Sequence, residues 1–235
     1  MTGASVVMDD VHLCLGTKDF RFDLALAGGE TCAVLGPSGS GKSTLLGLLA
    51  GFVKPQSGRV LIDGADVTSA PPGRRPVSMI FQDYNLFAHL DVWMNVALGV
   101  DPTGKLDKAQ TGAVELALES VGLAGMKARL PGDLSGGERQ RVALARCLVR
   151  DRPVLLLDEA LTALGPALRD NVMDLIRQAH SDRGMTILMV SHDPADALAL
   201  CDRAVFLDDG RIVASGPTGS VLADDKLAAY LGTSR

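Results

Sequence analysis

Short apolar runs of strand length alternate along the chain with longer stretches of helical period, and turn residues separate the two. Residues 6–13 and 20–26 read as two strands of an antiparallel arm. In the second, Phe20, Phe22, Leu24 and Leu26 alternate with Arg21, Asp23 and Ala25. Ala27-Gly28-Gly29-Glu30 reads as a turn. An apolar strand, Thr31-Cys32-Ala33-Val34-Leu35, follows it, and residues 45–50 read as a buried helix. Val60-Leu61-Ile62 is a strand ended by the turn pair Asp63-Gly64. Residues 69–73 form a loop, and residues 77–81 a strand with Gln82 at its end.

Residues 91–98 and 107–121 carry the helical period. In the second stretch Val114, Leu118 and Val121 share a face, and Asp107 is placed to cap the start. Pro153-Val154-Leu155-Leu156-Leu157 and Thr186-Ile187-Leu188-Met189-Val190 are the apolar runs expected of central parallel strands. Residues 166–182 read as a helix with Pro166 near its first position and Gly184 after its end. Residues 194–200 form another helix. Residues 203–207 and 211–214 make a hairpin around Asp208-Asp209-Gly210, and the tail from Gly216 ends in a short helix.

This order predicts an α/β fold: a mixed sheet with an antiparallel β arm, interrupted by an α-helical insertion. The expected organisation is one domain over 1–235, with a core of 1–82 and 151–235 and a helical subdomain over 83–150. With 235 residues, 47% of them hydrophobic, the chain has ample material for such a core. The net charge of -5 supplies no basic field, so a nucleic-acid partner is not expected. No signal peptide precedes the first strand, and the longest apolar stretch, near 45–53, contains two glycines and is too short to span a bilayer, so a cytosolic chain is expected. The 4 cysteines, Cys14, Cys32, Cys147 and Cys201, form no CxxC pair and read as reduced structural thiols. The 4 histidines are scattered without metal-ligand spacing.

Between the strand at 31–35 and the helix at 45–50 stands Gly36-Pro37-Ser38-Gly39-Ser40-Gly41-Lys42-Ser43-Thr44, which fits G-x-x-x-x-G-K-[ST]. Glycines let the backbone turn tightly and bring its N–H groups to phosphate oxygens, and the following helix points its positive end at the same place. Lys42 is expected to reach the β- and γ-phosphates, and Ser43 to offer its hydroxyl to Mg²⁺. The loop therefore implies that the chain binds a nucleoside triphosphate.

Two further elements add to it. Ser135-Gly136-Gly137-Glu138 has capping-box spacing at the head of a helix running to residue 148. Paired glycines directly after the cap sacrifice helix propensity, which suits a close approach to an anion. The strand at 153–157 ends in Asp158 and Glu159, where an α/β sheet presents groups to its ligand crevice. One carboxylate can support a metal and the other polarise a water. His192 closes the strand at 186–190 in the same way.

The phosphate loop, Leu134-Ser135-Gly136-Gly137-Glu138 and Leu155-Leu156-Leu157-Asp158-Glu159, in that order and with Gln82 and His192, resemble the ATP-binding subunits of ABC transporters. The resemblance covers essentially the whole chain. It implies two copies enclosing two ATP molecules. Lys42 and the loop amides hold the phosphates; Ser43, Gln82 and Asp158 serve Mg²⁺; Glu159 is the general base and His192 contacts the γ-phosphate. Ser135, Gly136 and Gly137 of the other copy close over that phosphate. It also implies an integral membrane permease as partner, a solute-binding protein acting indirectly, and a place on the cytoplasmic face of the bacterial inner membrane. Pro71-Pro72-Gly73-Arg74-Arg75-Pro76 with Phe81-Gln82 and Asn85-Leu86-Phe87-Ala88-His89-Leu90 is similar to bacterial thiamine importer subunits. Importers of polyamines and of iron(III) share much of that pattern. A soluble, non-transport ABC ATPase fits less well, because the chain has one cassette and no heptad run.

Three departures from the family stand out. Ala160 replaces the usual proline after the glutamate, and Gly165 replaces the usual aspartate in the next loop, which puts communication between the two ATP sites in question. Leu15 takes the place of the aromatic residue on which adenine stacks, with Phe20 and Phe22 as candidate substitutes. A lost stack costs about 1 kcal/mol, roughly fivefold in affinity.

Overall fold

The computed structural model describes residues 3–81, 83–162 and 164–224. Its elements in chain order are β1 (Val6–Leu15), β2 (Lys18–Leu26), β3 (Thr31–Leu35), α1 (Lys42–Ala50), β4 (Ser57–Ile62), β5 (Ala65–Asp66), β6 (Val77–Ile80), α2 (Val92–Val100), α3 (Lys108–Ser120), α4 (Gly136–Val149), β7 (Val154–Asp158), α5 (Pro166–Arg183), β8 (Thr186–Val190), α6 (Pro194–Leu200), β9 (Arg203–Asp208), β10 (Arg211–Pro217) and α7 (Thr218–Leu222). The chain divides into two compact units. One comprises Met1–Met79, Pro153–Glu159 and His180–Arg235; the other comprises Ile80–Arg152 and Ala160–Ala179.

The strands form one mixed sheet in the order β5-β4-β1-β2-β10-β9-β3-β8-β7-β6. β3 lies between β9 and β8, parallel to both, and β8 is parallel to β7. The three strands whose ends carry the phosphate loop, His192 and the Asp158-Glu159 pair are therefore adjacent and point the same way. β3 and β8 are buried along their whole length, which is why they read as unbroken apolar runs rather than as alternation. The arm β1–β2–β4 is antiparallel, as its alternating pattern predicts.

The alternation in β1 is not continuous. Val6 and Met8 face inward, and after an irregularity at Asp9–Asp10, where Asp10 has φ 45°, Val11 and Leu13 do. The bulge reverses which parity faces the core, so His12 and Cys14 turn outward. Gly58 of β4 makes the bulge possible: a Cβ there would lie 2.1 Å from the Asp10 carbonyl oxygen.

Arg75 is fully buried. Its guanidinium donates to the carbonyls of Leu48 and Leu49, at 2.6 and 2.9 Å, and to those of Ala70 and Thr68, each at 3.0 Å. It thus satisfies the C-terminal carbonyls of α1, the end at which a helix favours a cation, and ties the loop before β6 to the helix that starts at the phosphate loop. Burial pushes its pKa down, and Asp66 pushes it partly back up.

In the second unit α2, α3 and α4 pack against one another through Val92, Val96 and Ala97, Val114 and Leu118, and Val142 to Ala145. Asp107 caps α3 in a full capping box with Gln110. Buried Asn95 folds the segment before α2: its amide nitrogen donates to the carbonyls of Phe87, Leu90 and Asp91, and its oxygen accepts from the Phe87 N–H. Arg146 donates to the carbonyls of Tyr84 and Asn85, both at 2.8 Å, holding two residues of positive φ.

Candidate functional site

The loop from Gly36 to Gly41 needs its glycines for backbone reasons. Gly36, Gly39 and Gly41 have φ of 145°, 77° and 110°. A Cβ on Gly36 would lie 2.1 Å from the Leu207 carbonyl oxygen, and one on Gly41 would lie 2.8 Å from the Phe20 ring. Gly41 is the N-cap of α1, and no side chain caps the helix, so its first amides face the loop without a side-chain acceptor. The buried Ser40 hydroxyl oxygen has no hydrogen-bond partner in the protein. Lys42 is 5% exposed and donates to the carbonyls of Gly36 and Pro37, both at 2.9 Å. Burial pushes its pKa down, while Glu159 and Asp158 push it back up. A buried cation, uncapped helix amides and an orphaned hydroxyl around one loop form an anion site, and they fit a polyphosphate.

The acidic side of the site comes from β7. Asp158 closes the strand and accepts a hydrogen bond from the Ser43 hydroxyl at 3.3 Å. Burial raises its pKa, the charge of Glu159 adds to this, and Ser43 and Lys42 oppose it. Glu159 has φ 48°, an uncommon conformation for a residue with a side chain; its N–H bonds to the Val190 carbonyl at the end of β8. Glu159 Oε1 lies 2.6 Å from His192 Nε2. A cavity of about 300 Å³ is lined by Lys18, Phe20, Ser38, Gly39, Gly41, Lys42, Ser43, Thr44, Glu159 and His192.

One wall of the cavity includes a residue that the sequence did not point to, Lys18, beside Phe20, which the resemblance offered as a candidate for stacking on adenine. Lys18 and Phe20, from the tip and first turn of the β1–β2 hairpin, line it, and Lys18 donates to the Gly39 carbonyl at 3.1 Å. Of the residues considered for stacking on adenine, Leu15 is half exposed at the hairpin tip and Phe22 is a core residue with no open face. Phe20 is the one that reaches the cavity. Gln82 and Ala163 lie outside the described residues.

Ser135, Gly136, Gly137 and Glu138 belong to the second unit. Glu138 Oε2 accepts from the Ser135 N–H and hydroxyl, both at 2.7 Å, and the Glu138 N–H donates back to Ser135 Oγ at 3.3 Å. Gly136 is open: nothing lies within 4 Å of a Cβ placed on it. Gly137 has a packing reason to be glycine, because its Cβ would overlap the Leu168 side chain of α5. The expectation that both glycines serve approach to a ligand therefore has a competing cause at Gly137. In the same unit buried Gln140 donates to the Ala160 carbonyl at 2.5 Å. Gly165 stands where α5 begins, its carbonyl accepting from the N–H groups of Leu168 and Arg169.

The reading of all four cysteines as structural needs correction. Cys32, Cys147 and Cys201 are buried, and their burial holds the thiol pKa up, to about 12 and about 11 for the first two. Cys14 is exposed and meets His12 and Asp19. Spacing along one strand could not show this, because the cluster is cross-strand and depends on the bulge.

Adjacent parallel strands of a mixed sheet, whose ends bring together a phosphate loop, a carboxylate pair and a histidine, define a nucleoside-triphosphate hydrolase of the phosphate-loop class. Residues 20–162 match the ABC transporter family profile. The chain is 53% identical to the "Thiamine import ATP-binding protein ThiQ" of Mesorhizobium japonicum, over 99% of this chain and 93% of that protein. It is 52% identical to the protein of the same name from Brucella suis, over 99% and 98%. A solved structure, the ADP conformation of an ATP-binding cassette of an ABC transporter, has a TM-score of 0.88 at 22% identity and covers 100% of both chains, which shows the common fold.

The chain belongs to the ABC transporter family of ATP-binding proteins. It is an ATP hydrolase coupled to transport, of a family whose members dimerise and act with membrane permeases. No helix among the described residues is long and apolar enough to cross a membrane.

Proposed function

We propose that this chain hydrolyses ATP at a head-to-tail dimer interface, on the cytoplasmic face of the bacterial inner membrane, to drive thiamine or thiamine phosphates through a separate permease. The observation that carries the chemistry is the convergence of Lys42, Ser43, Glu159 and His192 on one cavity. The substrate reading is supported by about half identity over nearly full length with two proteins named for thiamine import.

In this reading Lys42 exchanges the carbonyls of Gly36 and Pro37 for phosphate oxygens, and the first amides of α1 complete the cradle. Ser43 and Asp158, two oxygen donors already in contact, fit a hard cation; they would hold Mg²⁺, with Gln82, and the ion would neutralise phosphate charge. Glu159 takes the proton of the attacking water. Water oxygen bonds to the γ-phosphorus as its bond to the bridging oxygen breaks, releasing ADP and phosphate. His192, bonded to Glu159 in the free protein, holds that carboxylate in place and turns to the γ-phosphate when it is present. Ser135, Gly136 and Gly137 of a second copy complete the site.

Glu159→Gln tests the base. Turnover of ATP is expected to fall about 10²- to 10³-fold while nucleotide binding survives and an ATP-bound dimer accumulates. Parental turnover in the variant would remove Glu159 from this role. Uptake of labelled thiamine by a strain lacking this chain should be restored by the wild type alone. Restored ATPase activity in the membrane without thiamine uptake points to another solute.

A further inference from the structure

The outer face of the β1–β2 hairpin carries a second group of chemically active side chains, apart from the nucleotide cavity. His12 and Cys14 stand two apart on β1, on the same face, and Asp19 stands on β2 directly opposite Cys14. The bulge at Asp9–Asp10 puts them there; without it the parity of β1 would send both donors into the core. His12 Nε2 lies 2.5 Å from Asp19 Oδ1, Cys14 Sγ lies 3.3 Å from the same oxygen, and Cys14 Sγ lies 3.6 Å from His12 Nε2. All three ligand atoms lie within 4.8 Å of one another.

From these positions we infer that His12, Cys14 and Asp19 form a binding site for a borderline-soft divalent cation of the Zn²⁺ class. Bonds of about 2.1 Å to nitrogen or oxygen and about 2.3 Å to sulfur, at tetrahedral angles, set neighbouring ligand atoms about 3.4–3.6 Å apart. The sulfur–nitrogen and sulfur–oxygen distances already approach that spacing. The nitrogen–oxygen pair must open by about 1 Å, replacing one hydrogen bond by two metal bonds. Asp19 is oriented for the purpose: Arg211 and Arg21 reach its other oxygen, Oδ2, at 3.1 and 3.4 Å, leaving Oδ1 to face His12 and Cys14. The backbone is fixed as well, because the Cys14 N–H donates to Gln56. One thiolate, one imidazole and one carboxylate select Zn²⁺ over Mg²⁺, and the exposed face leaves a fourth position to water. On binding, the Cys14 thiol gives its proton to buffer, and the sulfur–metal bond replaces the S–H bond.

The full chain, nucleotide-free, is titrated with Zn²⁺ and separately with Co²⁺. One equivalent is expected to bind, with release of a proton, and the cobalt form should show sulfur-to-metal charge transfer. Cys14 is the one exposed cysteine, so that band reports on it alone. Cys14→Ser and His12→Gln should each weaken Zn²⁺ binding at least tenfold, with unfolding midpoints close to the parent's, and Cys14→Ser should abolish the band. A wild-type cobalt complex without the thiolate band overturns the site whatever the variants do. So does Zn²⁺ affinity unchanged by both substitutions.

Discussion

Two helices in this chain begin on glycine-rich turns of similar appearance, and they are built for opposite resting states. α1 starts at Gly41 in a left-handed conformation with no side-chain cap, and its first residue is a buried lysine. α4 starts at Ser135 in extended conformation with both arms of a capping box closed, and its third residue is a glutamate. Both helix ends carry the positive pole of the helix. The first leaves that pole free for an anion from outside, whereas the second neutralises it with its own carboxylate. A helix start that must bind phosphate alone needs an open, preorganised cradle. In the proposed dimer, a start that meets phosphate only when a second copy arrives can be held by its own cap until then.

The sharpest test of this asymmetry removes one polar side chain from each start, the lysine of the first and the capping hydroxyl of the second. Lys42→Ala should weaken ATP binding to the isolated chain by about 3 kcal/mol, roughly 100-fold, in a fluorescent-nucleotide titration. Ser135→Ala should leave that affinity within twofold and lower the unfolding midpoint, since a lost N-cap costs about 1 kcal/mol and each kcal/mol is about 2–4 °C at this size. Equal losses of affinity in the two variants would break the distinction.

Glycine replacements sharpen it further. Gly41→Ala places a Cβ 2.8 Å from the Phe20 ring at φ 110°, so it should destabilise the chain by at least about 2 kcal/mol and weaken nucleotide binding. Gly136→Ala meets open space in a helix and should stabilise by about 0.5–1 kcal/mol, with binding intact and dimer turnover reduced. Calorimetric midpoints that move in the same direction for both would show that the two turns are equally constrained.

The helix starts also show what could be read in advance. The phosphate loop and the capping box are local: their chemistry lies within nine and four consecutive residues, so spacing alone places them. The parallel strands were legible because burial on both faces leaves an unbroken apolar run, as at Leu155 to Leu157. Other features required partners far away in sequence. Arg75 stands just after the loop read at 69–73, yet it is fully buried, and its guanidinium donates to four backbone carbonyls. Gly137 looks like a ligand-facing glycine until Leu168 is seen against it. The cysteines and histidines show no metal-ligand spacing along the chain, and His12, Cys14 and Asp19 come together only through cross-strand pairing and the bulge in β1. Lys18 lines the nucleotide cavity through hairpin geometry, which no motif encodes, whereas Phe20 was already a candidate.

The smallest expected effect bears directly on the closed start. The Ser135 N–H, and after it the Ser135 hydroxyl, hold the Glu138 carboxyl below its ordinary 4.5. A carboxyl lowered on folding stabilises the native state fully above its unfolded pKa and loses that contribution as pH falls through the folded value. Glu138→Gln keeps an oxygen for the Ser135 N–H but cannot titrate. The unfolding midpoint of the wild type should therefore exceed the variant's by a constant margin, on the order of 1 °C, above the ordinary carboxylate range, and the margin should shrink as pH falls below that range. Because the carboxylate also occupies the helix pole, the variant should form the ATP-bound dimer more readily at neutral pH. A margin that persists into acid would mean that the cap is held by geometry rather than charge, and that opening α4 needs no displacement of an ion.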